Sequence, residues 1–251
     1  MSRRNTYLLG GISALAGIVM LVVAISALTS DGDDGSPPAD ERNAPERPLT
    51  PGSPPPASGD RDEPSGTRAE GSAIQRNLSR RRRVRAPDFS ATVIHAGTVP
   101  APLEDAFERA TARDALDLAE LRGTPVVLHL WSSRCTPCRG DARLVETTWR
   151  RWGPRGVLFV GASVNEPPAA AEEVIRQYDL TYPGVLDRNG AIAERYGATV
   201  LPQTFFISGG GDVVGEVAGS PSVRQLETGA AAAESGRVFG AERGGGAVPL
   251  R

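Results

Sequence analysis

The chain has 251 residues, enough for one or two domains, and its net charge of −2 points to no polyionic partner. All 28 basic residues are arginine. Without lysine, the chain has neither a Gly-x-x-x-x-Gly-Lys phosphate loop nor a lysine amine for Schiff-base chemistry.

Arg3 and Arg4 precede 22 uncharged residues, 7–28. As a helix this stretch rises roughly 33 Å, enough for a bilayer core of ~30 Å. Arginines on the near side and Asp31, Asp33 and Asp34 on the far side predict a cytoplasmic stub at residues 1–6 and a transmembrane anchor at 7–28. A cleaved signal peptide ending near "AISA" is the alternative, and both readings place the remainder of the chain outside the cytoplasm. Residues 31–79 contain nine Pro, six Gly and six Ser, with no aromatic residue. Residues 29–85 are therefore expected to be a disordered linker, with a reach on the order of 40 Å. It closes on "RRRRVR", which reads either as a solvated charge run or as a contact to anionic lipid headgroups. Nucleic acid is not an expected partner outside the cytoplasm.

From residue 86 the texture is that of a folded domain. Helical spacing runs through Leu103, Phe107, Ala110, Leu118 and Leu121, with a break near Arg113. Residues 125–131 read as a buried strand, and a helix is expected from the cysteines to Trp152. A second buried strand falls at 156–164, a helix at 168–178, a turn at "LDRNG" and a short helix ending near Tyr196. Residues 204–219 read as a hairpin around "GGGD". Ser220-Pro221 is the expected start of a last helix reaching Thr228, and residues 229–251 are expected to be a disordered Gly/Ala-rich tail. The folded part, 86–228, is thus an α/β domain.

Cys135 and Cys138 are the only cysteines, three apart at the junction of the strand and the long helix. A closed zinc site needs four ligands, but no other cysteine exists and His95 and His129 are isolated. Two cysteines chosen only for packing would rarely be both so few and so close. A redox pair fits better. A sulfur at Cys135 would lie beside unpaired helix N–H groups at the positive end of the macrodipole, which favours thiolate. Cys135 is then the attacking thiol and Cys138 the resolving one. Export supports this chemistry, because disulfides persist outside the cytoplasm.

"APDF", "LAELRGTPVVLHLWSSRCTPCRGDARL", "YPGVLDRNGAIAERYGATVLPQTFFI" and "GEVAG" together resemble the membrane-anchored thioredoxin-like proteins of the TlpA/ResA type, which include thiol-disulfide oxidoreductases of cytochrome c maturation. The resemblance implies a thioredoxin-like fold, a central mixed sheet flanked by helices with an N-terminal extension. It also implies a cis proline at Pro202, with the backbone of Leu201 offered to a bound peptide. Asp141 takes the place of the family's acid, a proton carrier if burial raises its pKa; a first-turn acid favoured by the helix dipole is the other reading. Glu166 is a possible second acid near the site, and Trp131 and Arg134 are expected at the substrate surface. Arg134 stands where the family often has tryptophan: aimed at Cys135 it would favour the thiolate and a more oxidising pair, whereas facing solvent it would replace an aromatic lip. The family's helix-kinking proline is missing near Arg143. No cofactor beyond the Cys135–Cys138 disulfide and no metal is expected. The implied partners are exported thiol or disulfide proteins such as apocytochrome c, a transmembrane thiol electron donor, and the bilayer through the N-terminal helix. A disulfide-forming oxidant, a peroxidase and a copper-binding assembly factor on the same fold are the alternatives.

Overall fold

The computed structural model describes residues 67–250. The anchor expected at 7–28 and the linker up to residue 66 lie outside them. Among the described residues, no helix is long and apolar enough to cross a membrane.

In chain order, α1 (Thr67–Ser79) and β1 (Val84–Arg85) come first. Next are β2 (Ser90–His95), α2 (Ala101–Thr111), β3 (Ala115–Asp117) and a 3-10 turn at Leu118–Leu121. β4 (Val126–Trp131), α3 (Thr136–Trp152), β5 (Leu158–Val164), α4 (Pro168–Gln177) and β6 (Gly184–Asp187) form the middle. α5 (Ala191–Arg195), β7 (Val200–Leu201), β8 (Gln203–Ile207) and β9 (Asp212–Ala218) come after them. α6 (Val223–Ser235), β10 (Gly240–Arg243) and β11 (Val248–Pro249) are last.

The main sheet has nine strands in the order β1-β9-β8-β4-β5-β6-β2-β3, with β10 also on β9. β4, β5 and β6 are mutually parallel, joined by helical crossovers, while β8 and β9 form the expected antiparallel hairpin. Every residue of β4 and β5 is buried, as befits strands covered on both faces. β8 shows the two layers directly. Phe205 faces Tyr196, with ring centroids 5.0 Å apart, whereas its neighbour Phe206 faces Phe239 at 5.4 Å. α3 seats on β5 through Trp149 and Phe159, 5.9 Å between centroids.

Three expectations need correction. The linker does not run disordered to residue 85: α1 lies within it, and Ile74 and Leu78, one turn apart, are each only 1% exposed. A composition average over a Pro-rich stretch hides one apolar pair at helical spacing. The arginine run after α1 is partly tied down, since Arg81 and Arg85 donate to the carbonyls of Phe239 and Gly210, both at 2.8 Å, and Val84 and Arg85 pair with β9.

The last helix starts later and ends later than expected. Ser222, not Ser220, is its cap, closing a capping box with Gln225. Its alanine-rich second half is helix rather than tail. Gly229 lies so close to Phe206 that a Cβ there would meet the ring at 2.1 Å, so small residues let α6 approach β8. Beyond it, β10 runs parallel to β9 and β11 pairs antiparallel with β7, so the tail expected at 229–251 is folded through Leu250. Third, the apolar spacing from 103 to 121 is not one helix. Asp114, at φ 59, turns the chain out of α2 into β3, a conformation aspartate tolerates. The structure also adds β2, β3 and β6, which strand periodicity alone did not separate from loop.

Candidate active site

The active-site turn grows out of β4. Cys135 is the N-cap of α3, with extended backbone at φ −82 and ψ 102, and Pro137 sits in the first turn, where a missing N–H costs nothing. Cys135 and Cys138 are joined by a disulfide, their Cα atoms 5.2 Å apart. The Cys135 Sγ accepts a hydrogen bond from the Cys138 amide at 3.1 Å. That amide is one of the helix's otherwise unpaired donors. When the pair is reduced, the same N–H and the helix dipole favour charge on Cys135.

The sheet gathers the remaining candidates at one end. In the β4–β5 register Trp131 lies opposite Ser163, so the loops after both strands leave side by side. In the β4–β8 register Leu130 lies opposite Gln203, which brings the preceding Leu201–Pro202 bond to the same end. That bond is cis. Ligand sites of open α/β sheets favour this position, outside the carboxyl ends of the parallel strands.

Glu166 is buried and serves as an anchor for the turn. Its carboxylate accepts the Ser133 amide at 2.9 and 3.0 Å and the Ser132 hydroxyl at 3.1 Å, together with the hydroxyls of Ser133 and Ser163. A carboxylate with this many donors holds Ser132 and Ser133 in place just ahead of Cys135. The serines were not singled out from sequence, because hydroxyls that converge on one acid from two strands carry no local signal.

Asp141 is half-buried on α3, one turn beyond Cys138, and its Oδ2 is buried with no hydrogen-bond partner among the described residues. Burial pushes its pKa up, and hydrogen bonding from Ser220 pulls part of the way back. A second buried acid, Glu216 on β9, was also missed. It accepts from Gln203 at 3.2 Å and Gln75 at 3.1 Å, and burial likewise raises its pKa.

Three expected surface residues are placed differently. Trp131 is a core residue, 4% exposed, with its indole against Gly161 of the neighbouring strand. Arg134 is exposed, and its guanidinium donates to the Asn165 carbonyl at 2.8 Å, bridging the two loops of the site. Leu201 is 4% exposed, and its backbone edge is already paired with Val248.

The family model described as AhpC/TSA matches residues 83–215, more than half of the chain. The chain belongs to the AhpC/TSA family. Among curated relatives it resembles the thiol-disulfide oxidoreductase ResA of Bacillus thuringiensis subsp. konkukian (strain 97-27), 30% identical over 112 residues, 45% of this chain and 65% of the relative. ResA of Bacillus subtilis (strain 168) is 30% identical over 105 residues, 42% and 59% of the two chains. The chain thus spans about 60–65% of the length of these relatives. An uncharacterised conserved protein of Geobacillus kaustophilus superposes with a TM-score of 0.50 at 16% identity over 62% of this chain and 83% of that one. A thioredoxin-family thiol:disulfide interchange protein of Chlorobium tepidum gives 0.48 at 22% identity, over 61% and 97%. Within the AhpC/TSA family, then, the mixed sheet flanked by helices is a thioredoxin-like fold, as the TlpA/ResA resemblance implied.

Proposed function

We propose that this chain is an extracytoplasmic thiol-disulfide oxidoreductase that reduces disulfides of exported proteins such as apocytochrome c, held to the membrane by residues 7–28. The observation that carries the reading is the Cys135–Cys138 disulfide at the N-terminus of α3, with a helix amide on the Cys135 sulfur. The names of the ResA relatives point the same way.

In the reduced enzyme the Cys135 thiolate attacks one sulfur of a partner disulfide and expels the partner's other sulfur as a thiolate, giving a mixed disulfide. Cys138 loses its proton and attacks the Cys135 sulfur. The partner leaves with both sulfurs as thiols, two electrons richer, and the Cys135–Cys138 bond re-forms. Asp141 is placed to accept the Cys138 proton and to return it in the reverse step; a carboxyl with a raised pKa suits that exchange better than an ordinary one. A transmembrane thiol donor then restores the dithiol. Arg134 supports the turn through Asn165 rather than through the sulfur.

The test is insulin reduction with dithiothreitol as the electron source. The protein accelerates it, and Cys135→Ser abolishes the acceleration. Activity that survives Cys135→Ser would remove the exchange mechanism. Thiol trapping in the cell gives the direction: a mostly reduced pair identifies a reductant, a mostly oxidised pair an oxidant.

A further inference from the structure

Residues 244–250 lie across the open end of the site as a short strand. Gly244 donates to the Ala218 carbonyl at 2.8 Å and Gly245 to Ser220 at 2.7 Å, while the Ser220 amide donates back to Gly246 at 3.0 Å. Gly244 tolerates nothing larger, since a Cβ would fall 2.3 Å from the Ser220 carbonyl oxygen. The segment then passes the active-site turn: a Cβ on Gly246 would stand 3.5 Å from Pro137 Cγ, between the two cysteines in sequence. Val248 pairs with Leu201 and Pro249 with Val200, antiparallel, and the Leu250 amide donates to Thr199 at 2.9 Å. Val248 and Leu250 are half-buried against the core and Pro249 points out, the alternation of a strand. With this segment in place Cys135 is 2% exposed and Cys138 3%. A partner sulfur cannot approach a disulfide so covered.

We propose that residues 244–250 are a resident strand on the docking edge of the exchange partner, and that the partner engages by replacing it. The proposal rests on the exchange reading above. The partner it fits is an extended polypeptide with apolar side chains two residues apart, adding to the Val200–Leu201 edge as Val248 and Leu250 do. The resident is built to leave. Its contact strand has two residues, and the three consecutive glycines behind it regain much backbone freedom on release. Its departure also frees both sides of Ser220, the residue whose side chain is hydrogen-bonded to Asp141, so docking reaches the proton carrier as well.

Insulin reduction by the full chain is to be compared with that of a chain ending at Arg243 and of full-length Leu250→Pro, which only deletes the N–H to Thr199. Both variants are expected to raise kcat/KM about tenfold, as when the edge is free in about a tenth of parent molecules. A synthetic peptide of residues 244–250 should slow the shortened chain competitively with insulin and leave the parent unchanged. Parent and variants equal within twofold, with no inhibition by the peptide, would overturn the resident strand and leave the exchange reading standing. If Cys135–Cys138 stays oxidised under dithiothreitol in all three proteins, and none reduces insulin, the exchange reading itself fails, and the proposal with it.

Discussion

Asp141 and His129 show what burial alone does to a titratable side chain in this domain. Asp141 has its pKa raised, so between its unfolded and folded values the native state binds more protons than the unfolded chain, and stability falls as pH rises through that window. Asp141→Asn removes this term. It is expected to raise Tm at neutral pH and leave it unchanged in acid below both values, checked by calorimetry, while insulin reduction falls by about tenfold or more because the proton carrier is gone. A fall in activity with a rise in stability separates a functional acid from a structural one. His129 behaves in the opposite sense. It is buried against Thr204, its ring 3.0 Å from the hydroxyl, and desolvation lowers its pKa from 6.5 to about 4. The native state then binds fewer protons between those values, so its contribution is complete above pH 6.5 and is lost as pH drops toward 4. At ~1.4 kcal/mol per pH unit, about 3 kcal/mol is involved. In urea denaturation at neutral pH and near pH 4, His129→Gln is expected to lose less stability on acidification than the parent.

At the scale of elements, α3 and α6 illustrate two ways of starting a helix. α3 begins on a cysteine whose sulfur takes the place of a capping oxygen, so its first turn serves chemistry. The cost is shifted to the preceding loop, where the buried Glu166 carboxylate collects its serine and amide donors. α6 begins on an ordinary capping box, with the Gln225 amide donating to Ser222 Oγ at 3.2 Å and the Gln225 side chain accepting from the Ser222 amide at 2.9 Å. Ser222→Ala is expected to cost about 1 kcal/mol in urea denaturation, whereas Ser220→Ala leaves the cap intact and changes stability less. Sequence inspection preferred Ser220 because a proline comes directly after it. The choice between two serines two residues apart is made by which of them has a glutamine three residues on, together with the pairing of Ser220 to Gly245 and Gly246.

For the whole molecule, the domain is larger than its redox core. α1 docks against α5 and β9 through Ile74 and Leu78, and β10 and β11 extend the sheets at the other end of the chain. Leu78→Ala in the full chain is expected to lower stability by about 2–4 kcal/mol in urea denaturation, the cost of a buried leucine that leaves a cavity; a value near zero would return α1 to the status of linker. Much of the site was legible in the sequence because its determinants are local. A Cys-Thr-Pro-Cys stretch between a continuous apolar run and an amphipathic one specifies strand, turn and helix N-terminus by itself, and the spacing of Phe205, Phe206 and the glycines after them specifies a hairpin. What the sequence could not settle depends on partners distant along the chain. Arg134 is adjacent to Cys135 yet engages Asn165, Leu201 is taken by Val248, and Trp131 is enclosed by Gly161. A Gly- and Ala-rich tail carries too little apolar signal to announce a strand; Val248 and Leu250 become one only because β7 offers an unpaired edge at the distance the chain can reach. Local patterns determined where the chemistry resides, and only tertiary packing decided what covers it.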